Sequence, residues 1–359
     1  MKFNYLNKYL KILYIFFIFQ SLFLFFFSTG KIQAKSFDIK DIEISRPFEI
    51  NFDKNNVIDE GFRKAFSELT TLILNSKDQI KIKKIRLNEI KGMVESFSIK
   101  EEKFIKEIYY VKLGVSFNKK KVFNYLEKKN IFPSAPNKVK FLFIPIIIDE
   151  SQKDLLIFDK NIFFKKWNND QNDKELIEYI LPTEDLEDLK EIKNNFNLIE
   201  EYDFKNIISK YNLNNSVVAL IFKNQKEIRI LSRINNNQNV SLKNQSFPNF
   251  DINDDQQFEI LKRELKLIYE DYWKKLNEIN TSIKLIFNVK VNNDNELKIV
   301  DFENVLNDFD LIYDFFITKF DNKFTYYQII FNGTPSVFLQ KMNKRGHNFD
   351  KDNKIWLLK

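Results

Sequence analysis

His347 is the only histidine in the chain, and cysteine is absent. Thiol catalysis, cysteine-ligated metals, disulfide scaffolds, His-rich zinc sites and the Ser-His-Asp triad all need residues this sequence does not supply. Carboxylate or lysine chemistry remains open. His347 follows Gly346 directly at an expected helix end, inside a polar loop, so it reads as a solvated or weakly capping group.

Two carboxylate patterns could do chemistry. In "DINDDQQFEILK", Asp251, Asn253 and Asp255 occupy the first, third and fifth positions of a calcium loop. Gln256 stands where the sharp turn needs Gly, however, and Lys262 where a bidentate Glu belongs. The acids are expected instead to precede and cap the helix that follows. Glu184, Asp185, Glu187 and Asp188 form i,i+3 and i,i+4 pairs on one helix side. A glycoside-cleaving pair must face across a cleft at about 5–9 Å, and neighbours on one helix do not make a cleft. They read as a solvated face. With 6 glycines in all there is neither a G-x-G-x-x-G nor a P-loop pattern, which argues against the common nucleotide-binding motifs. Trp167 and Trp273 could anchor a partner through their large rings, but both fall in amphipathic patterns and read as core or domain-interface packing. No residue is therefore assigned as catalytic, cofactor-binding or metal-ligating, and no cofactor is expected.

The elements that would position such residues follow from spacing. A first strand is expected over Ile39 to Ile50. Ile58, Phe62, Ala65, Leu69, Leu72 and Ile73 recur at helical intervals and predict a helix from Asn56 to Leu74. Tyr109, Val111, Leu113, Val115 and Phe117 alternate with polar or small residues, the period of a half-buried strand. Its partner is expected near Met93 to Ile99, joined through "KEEK". Val122, Phe123 and Leu126 share one helix face before Pro133 and Pro136. Residues 35–138 thus read as a β-α-β-β-α domain.

A middle α/β domain is expected over residues 139–247. Val139 to Ile148 is a buried strand, Asp154 to Phe158 a short one, and "SVVALIF" with "EIRILSRI" a strand pair. "ELIEYILP" and "TEDLEDLKEIKNNF" suggest helices, the second capped by Thr183. The polar stretch from Asn235 to Gln256 reads as a connector containing at most one short strand.

Residues 248–359 are expected to hold that connector, a long helix and a C-terminal α+β domain. Leu261, Leu265, Ile268, Tyr272, Leu276 and Ile279 give the strongest helical periodicity in the chain. Strands are expected at Ile283 to Val291, in "ELKIVDF" after an "NNDN" turn, at Leu311 to Thr318 and at Phe324 to Phe331, with a short helix near Phe302 to Asn307. Thr334 and Pro335 suit the cap and first turn of a final helix carrying Phe338 and Met342, and Ile355 to Leu358 a last strand. The fold class is α+β: several small sandwich-like α/β units in series, the last ferredoxin-like or similar.

The first 34 residues stand apart. Lys2, Lys8 and Lys11 precede an apolar run from Ile12 to Phe27, and Ile32 with Ala34 suits a signal-peptidase site. The run is short for a span of about 30 Å of hydrocarbon at about 1.5 Å per residue. The segment is expected to be a signal peptide cleaved after Ala34 or, next, a retained N-terminal anchor, with a cytosolic protein as the remaining alternative; the first two place the rest outside the cytoplasm, in the periplasm. Cleavage would remove four lysines and no acids, lowering the formal charge from +7 by four, to +3. Near-balanced charge, with basic runs interleaved by acids, argues against nucleic acid as a partner.

The order of these segments resembles the bacterial exported proteins grouped as domain of unknown function 2066 (DUF2066). The resemblance is carried by "GFRKAFSELTTLIL", "YYVKLGVSFNKKKVFNYLEKKNI", "LPTEDLEDL" ahead of "SVVALIF", and "FNGTPSVFLQKMNKRGHNFDKDNKIWLLK", and spans most of the chain after Ala34. The family's usual Arg and Gly positions carry Lys, Asn or Ser here, as at Ser76. The resemblance implies an exported envelope protein of unknown activity and offers no site residue. Missing cofactor signatures and small α+β units lead to an expectation of a non-enzymatic accessory or assembly protein contacting another envelope protein, with membrane contact only through residues 1–34. A small-ligand or cell-wall glycan binder is the alternative; a carboxylate- or lysine-based enzyme stands behind both.

Overall fold

The computed structural model describes residues 37–169, 175–224, 226–236, 239–351 and 354–359. The signal or anchor segment, residues 1–34, lies outside them. Among the described residues no helix is long and apolar enough to cross a membrane. Within the described residues the architecture is mixed α+β, with three sheets and helices in series. Residues 37–284 form one compact unit, and residues 285–359 belong to a second.

The first unit begins with strand β1 (Phe37–Pro47) and helix α1 (Lys54–Ile73), which Asp53 caps by accepting from the Asn55 N–H. Two short helices follow, α2 (Ser76–Ile82) and α3 (Leu87–Met93), then the hairpin β2 (Val94–Ile105) and β3 (Ile108–Phe117), then α4 (Lys119–Lys128). β3 lies between β1 and β2, antiparallel to both. As its alternation predicts, β3 buries Tyr109, Val111, Leu113, Val115 and Phe117. Helix α1 packs on that row through Phe62, Ala65, Phe66 and Leu69. A Cβ at Gly61 would overlap Leu113 Cδ1, so glycine there lets helix and sheet approach. "KEEK" is not the turn expected of it: β2 runs through it, and the chain reverses at Lys106 and Glu107, both at positive φ.

The middle sheet is built from β4 (Val139–Asp149), β5 (Asp154–Leu156), β6 (Ile177–Ile180), β7 (Asn215–Lys223), β8 (Glu227–Asn236) and β9 (Asn239–Pro248). Its order is β5-β4-β7-β8-β9, with β6 also on β4; β6 and β7 run parallel to β4. Helix α5 (Ile162–Lys166) follows β5, while α6 (Leu186–Asn194) and α7 (Lys205–Ser209) lie between β6 and β7. β4 and β7 are buried on both faces. Phe141, Phe143, Val217, Ala219 and Ile221 face one cluster with Phe163 and Trp167, and Leu142, Ile144, Val218 and Leu220 face another with Ile192, Phe204 and Ile207.

One expectation fails here, and another holds only in part. "ELIEYILP" holds a strand, because Ile177 and Tyr179 are buried with Glu178 exposed between them and the segment hydrogen-bonds beside β4. The polar connector holds the ten-residue strand β9, paired residue for residue with β8. An edge strand meets a neighbour on one side only, so it carries little apolar alternation for a sequence reading to find.

The long helix α8 (Asp255–Leu276) is present, capped by Asp254 on the Gln257 N–H. It differs from expectation in its packing. Phe258, Leu261, Leu265 and Tyr269 join the core of the middle sheet rather than that of the C-terminal strands. Leu276, counted on the apolar stripe, is 45% exposed.

The second unit contains β10 (Leu285–Asn292), α9 (Glu296–Asp308), β11 (Ile312–Phe320), β12 (Phe324–Phe331), α10 (Pro335–Asn343), β13 (Phe349–Asp350) and β14 (Trp356–Leu358). The sheet order is β11-β12-β10-β14-β13, with β14 parallel to β10. "ELKIVDF" is helical, not a strand. The Asn295 side chain caps α9 at the Lys298 N–H, and Phe302 and Leu306, four apart, bury themselves on the sheet. At α10 the expected cap is present: Thr334 accepts from the Val337 N–H, and Pro335 opens the helix. Gly346 takes φ +86° just past its end.

Candidate functional site

Most residues singled out in the sequence serve the fold. Trp167 is fully buried, its ring stacked on Phe143 at 4.0 Å. Trp273 is half-buried and its Nε1–H donates to Asn137 O at 2.8 Å. Asp251 accepts from the Asn253 backbone and side-chain amides, and Asp255 pairs with Lys166 at 2.5 Å. Among the described residues no group of three acids or histidines is placed to hold a metal.

The carboxylate run is not a uniformly solvated face. Asp185, rather than Thr183, caps α6, and Asp188 is buried; Lys210 Nζ bridges them at 2.8 and 2.6 Å. These two side-chain hydrogen bonds hold the Lys210 pKa well above its ordinary value. His347 corrects its reading in the same direction. It is 4% exposed, edge-on to Phe302, with Nε2 3.3 Å from Asp301 Oδ2, and burial lowers its pKa.

A cavity forms where sequence reasoning named nothing, between the α1–α2 layer and helix α8. Its α8 wall is the series Lys262, Lys266, Glu270 and Lys274, each 8% exposed or less. Spacing of four keeps them on one side of the helix. The series lies one residue after the apolar row Leu261, Leu265 and Tyr269, so the two stripes are neighbours around the helix. Each charged group finds a protein partner. Lys262 Nζ donates to Glu259 at 2.9 Å and to Lys166 O at 3.2 Å. Lys266 Nζ pairs with Glu175 at 3.0 Å. Glu270 Oε1 accepts the Leu176 and Ile177 N–H groups, both at 2.8 Å. Lys274 Nζ donates to Thr71 O at 2.6 Å and lies 3.8 Å from Glu270 Oε2.

Partial desolvation dominates the innermost pair. Burial raises the Glu270 pKa against the pull of its two amide donors and Lys274, and burial lowers that of Lys274 against the pull of Glu270. Other bonds tie the two layers around the cavity. Ser76 at the start of α2 donates its N–H and hydroxyl to Asp271 of α8 at 2.8 and 2.5 Å.

The volume on this side is about 510 Å³. A second cavity of about 540 Å³ adjoins it, with Gln79 and Leu267 lining both. The second cavity is lined by buried Phe66, Ile82 and Ile90, by Ile85 and the largely exposed Ile80, and by the exposed cations Arg63 and Lys83. No ion pair or side-chain hydrogen bond within the described residues engages Arg63, Lys83 or, in the first cavity, Arg263. An apolar lining with uncompensated cations beside it can hold an anion that carries an apolar body.

The sequence did carry a signal, the Lys-Lys-Glu-Lys recurrence at intervals of four. Compared with known proteins, the chain matches no family model and no curated sequence.

Proposed function

We propose that the protein is an exported, non-enzymatic binding protein whose groove along α8 takes an anionic ligand with an apolar portion. The observation that carries this is the trio Arg63, Lys83 and Arg263, cations unpaired among the described residues, which line two adjoining cavities together with Phe66, Ile82 and Leu267. A cation with an internal carboxylate partner has little to offer a ligand; these three have none among the described residues. The volumes, about 510 and 540 Å³, fall in the usual range of small-ligand pockets. Export rests on the basic and apolar pattern of residues 1–34, and the resemblance to DUF2066 points the same way.

Small-ligand binding thereby moves ahead of a purely protein-contact role. Lysines and a carboxylate turned into a hollow between layers are not what inert scaffolding requires. For the last unit we propose a ferredoxin-like derivation. Its strand-helix-strand-strand-helix order supports this, while the parallel β10–β14 pairing departs from it.

Titration calorimetry of the chain lacking residues 1–34 tests the binding reading. A saturable heat is expected with dodecanoate, weakening as salt rises, and none with dodecyltrimethylammonium. Equal binding of both amphiphiles would show that the cations play no part.

A further inference from the structure

Among the described residues every sheet edge but one is blunted. β5, β6 and β13 are only two to four residues long. β1, β2 and β11 each carry register shifts against the strand beside them. Short strands and bulges are ordinary means of keeping an edge from pairing with another chain. β9 has neither. Its ten residues pair with β8 from Asn239 to Pro248 without a shift, and no strand of the described residues lies on its other side.

The side chains of β9 add to the contrast. Val240 and Leu242, opposite Asn235 and Arg233 of β8 on one face of the sheet, are 63% and 61% exposed. The strand has a single charge, Lys243, on the other face opposite Ser232. A strand so nearly neutral offers a charged segment little to pair with, and it does not repel its own copy. Like charges directly opposite are what an antiparallel pair must avoid. Centring such a pair on Ser241 sets each Val240 opposite Leu242 of the second copy and each Lys243 opposite Asn239 of the second copy. Centring it on Lys243 instead would oppose the two lysines, and centring it on Leu242 would leave each Val240 opposite an Asn244.

We propose that the β9 edge is a self-association surface, on which a second copy of this chain adds its own β9 antiparallel and centred on Ser241, joining two middle sheets into one. The contact is isologous, so it closes at two copies and uses up both edges. Ladder hydrogen bonds and the two Val240–Leu242 pairs hold it. Ligand in the groove along α8 is not required for the pairing.

Sedimentation equilibrium of the chain lacking residues 1–34, across a dilution series, should show monomers and dimers in exchange. Two double variants test the register: Val240→Lys with Leu242→Lys, and Val240→Glu with Leu242→Glu. Each sets like charges against each other at both apolar pairs and should weaken the dimer on the order of tenfold or more. Mixing the two variants sets Lys against Glu at both pairs and should restore it. Both positions are exposed, so monomer melting temperatures should stay near wild type. If either variant folds poorly, amide exchange of wild type decides: protection in residues 239–248 should rise with concentration, and protection that does not would overturn the proposal. Wild type that remains monomeric throughout would overturn it, as would a dimer that both variants leave intact or a mixture in which dimer does not return.

Discussion

Two stripes run side by side along α8, and they solve burial in opposite ways. Phe258, Leu261, Leu265 and Tyr269 face the middle sheet and are removed from water with nothing polar left over; even the Tyr269 hydroxyl meets Ser232 at 2.8 Å. Lys262, Lys266, Glu270 and Lys274, on the side that lines the cavity, are almost as buried but carry ionisable groups. Burying charge costs several kcal/mol per ion unless partners compensate it. Such a stripe is a poor way to gain stability. We propose that this stripe serves the cavity it lines, while the apolar stripe holds the fold.

The contrast makes graded predictions. The largest effect belongs to the apolar side: Leu265→Ala should cost about 3–5 kcal/mol by urea denaturation, the range for a fully buried leucine that leaves a cavity. A cost below about 1 kcal/mol would mean that α8 is not anchored on the middle sheet. On the charged side, Lys274→Met removes the bond to Thr71 O and leaves Glu270 buried beside an apolar chain. Breaking a buried pair costs about 3–5 kcal/mol; discounted for the 3.8 Å separation, about 2–3 kcal/mol is expected. Unchanged stability would show that this stripe is effectively solvated.

The smallest effect is a pH slope. Burial holds the Glu270 pKa above its ordinary 4.5. A group with a raised folded pKa adds stability below its unfolded pKa and loses it as pH rises through the folded one. Glu270→Gln keeps an oxygen for the Leu176 and Ile177 amides but cannot ionise. The melting temperature of wild type relative to this variant should therefore fall as pH rises from about 4.5, the ordinary carboxyl value. A constant difference would remove desolvation of Glu270 from the account.

The same helix shows what the sequence could reveal. Its existence was plain from six apolar positions at helical spacing, five of which it contains while Ile279 falls past its end, as were β3, β4 and the Thr334-Pro335 start of α10. Those elements bury one face or both, and burial writes itself into local periodicity. β6 and β9 escaped because one is four residues long and the other an edge strand, so neither needs a strong pattern. The groove escaped for a different reason. Lys262, Lys266 and Lys274 look like an ordinary solvated face until a layer from far along the chain covers them. The bond from Ser76 to Asp271 spans 195 residues, and no local pattern announces such a neighbour. His347 and Asp188 misled in the same way, as polar residues in polar stretches that tertiary packing buries.

Amide hydrogen exchange with and without saturating dodecanoate tests the central claim most directly, because it reports where a ligand orders the backbone. Added protection is expected in residues 63–90 and 259–274, which line the groove, with residues 285–359 unchanged. Protection confined to residues 285–359, or no change in either groove-lining segment despite saturation, would contradict the assignment of the site to α8.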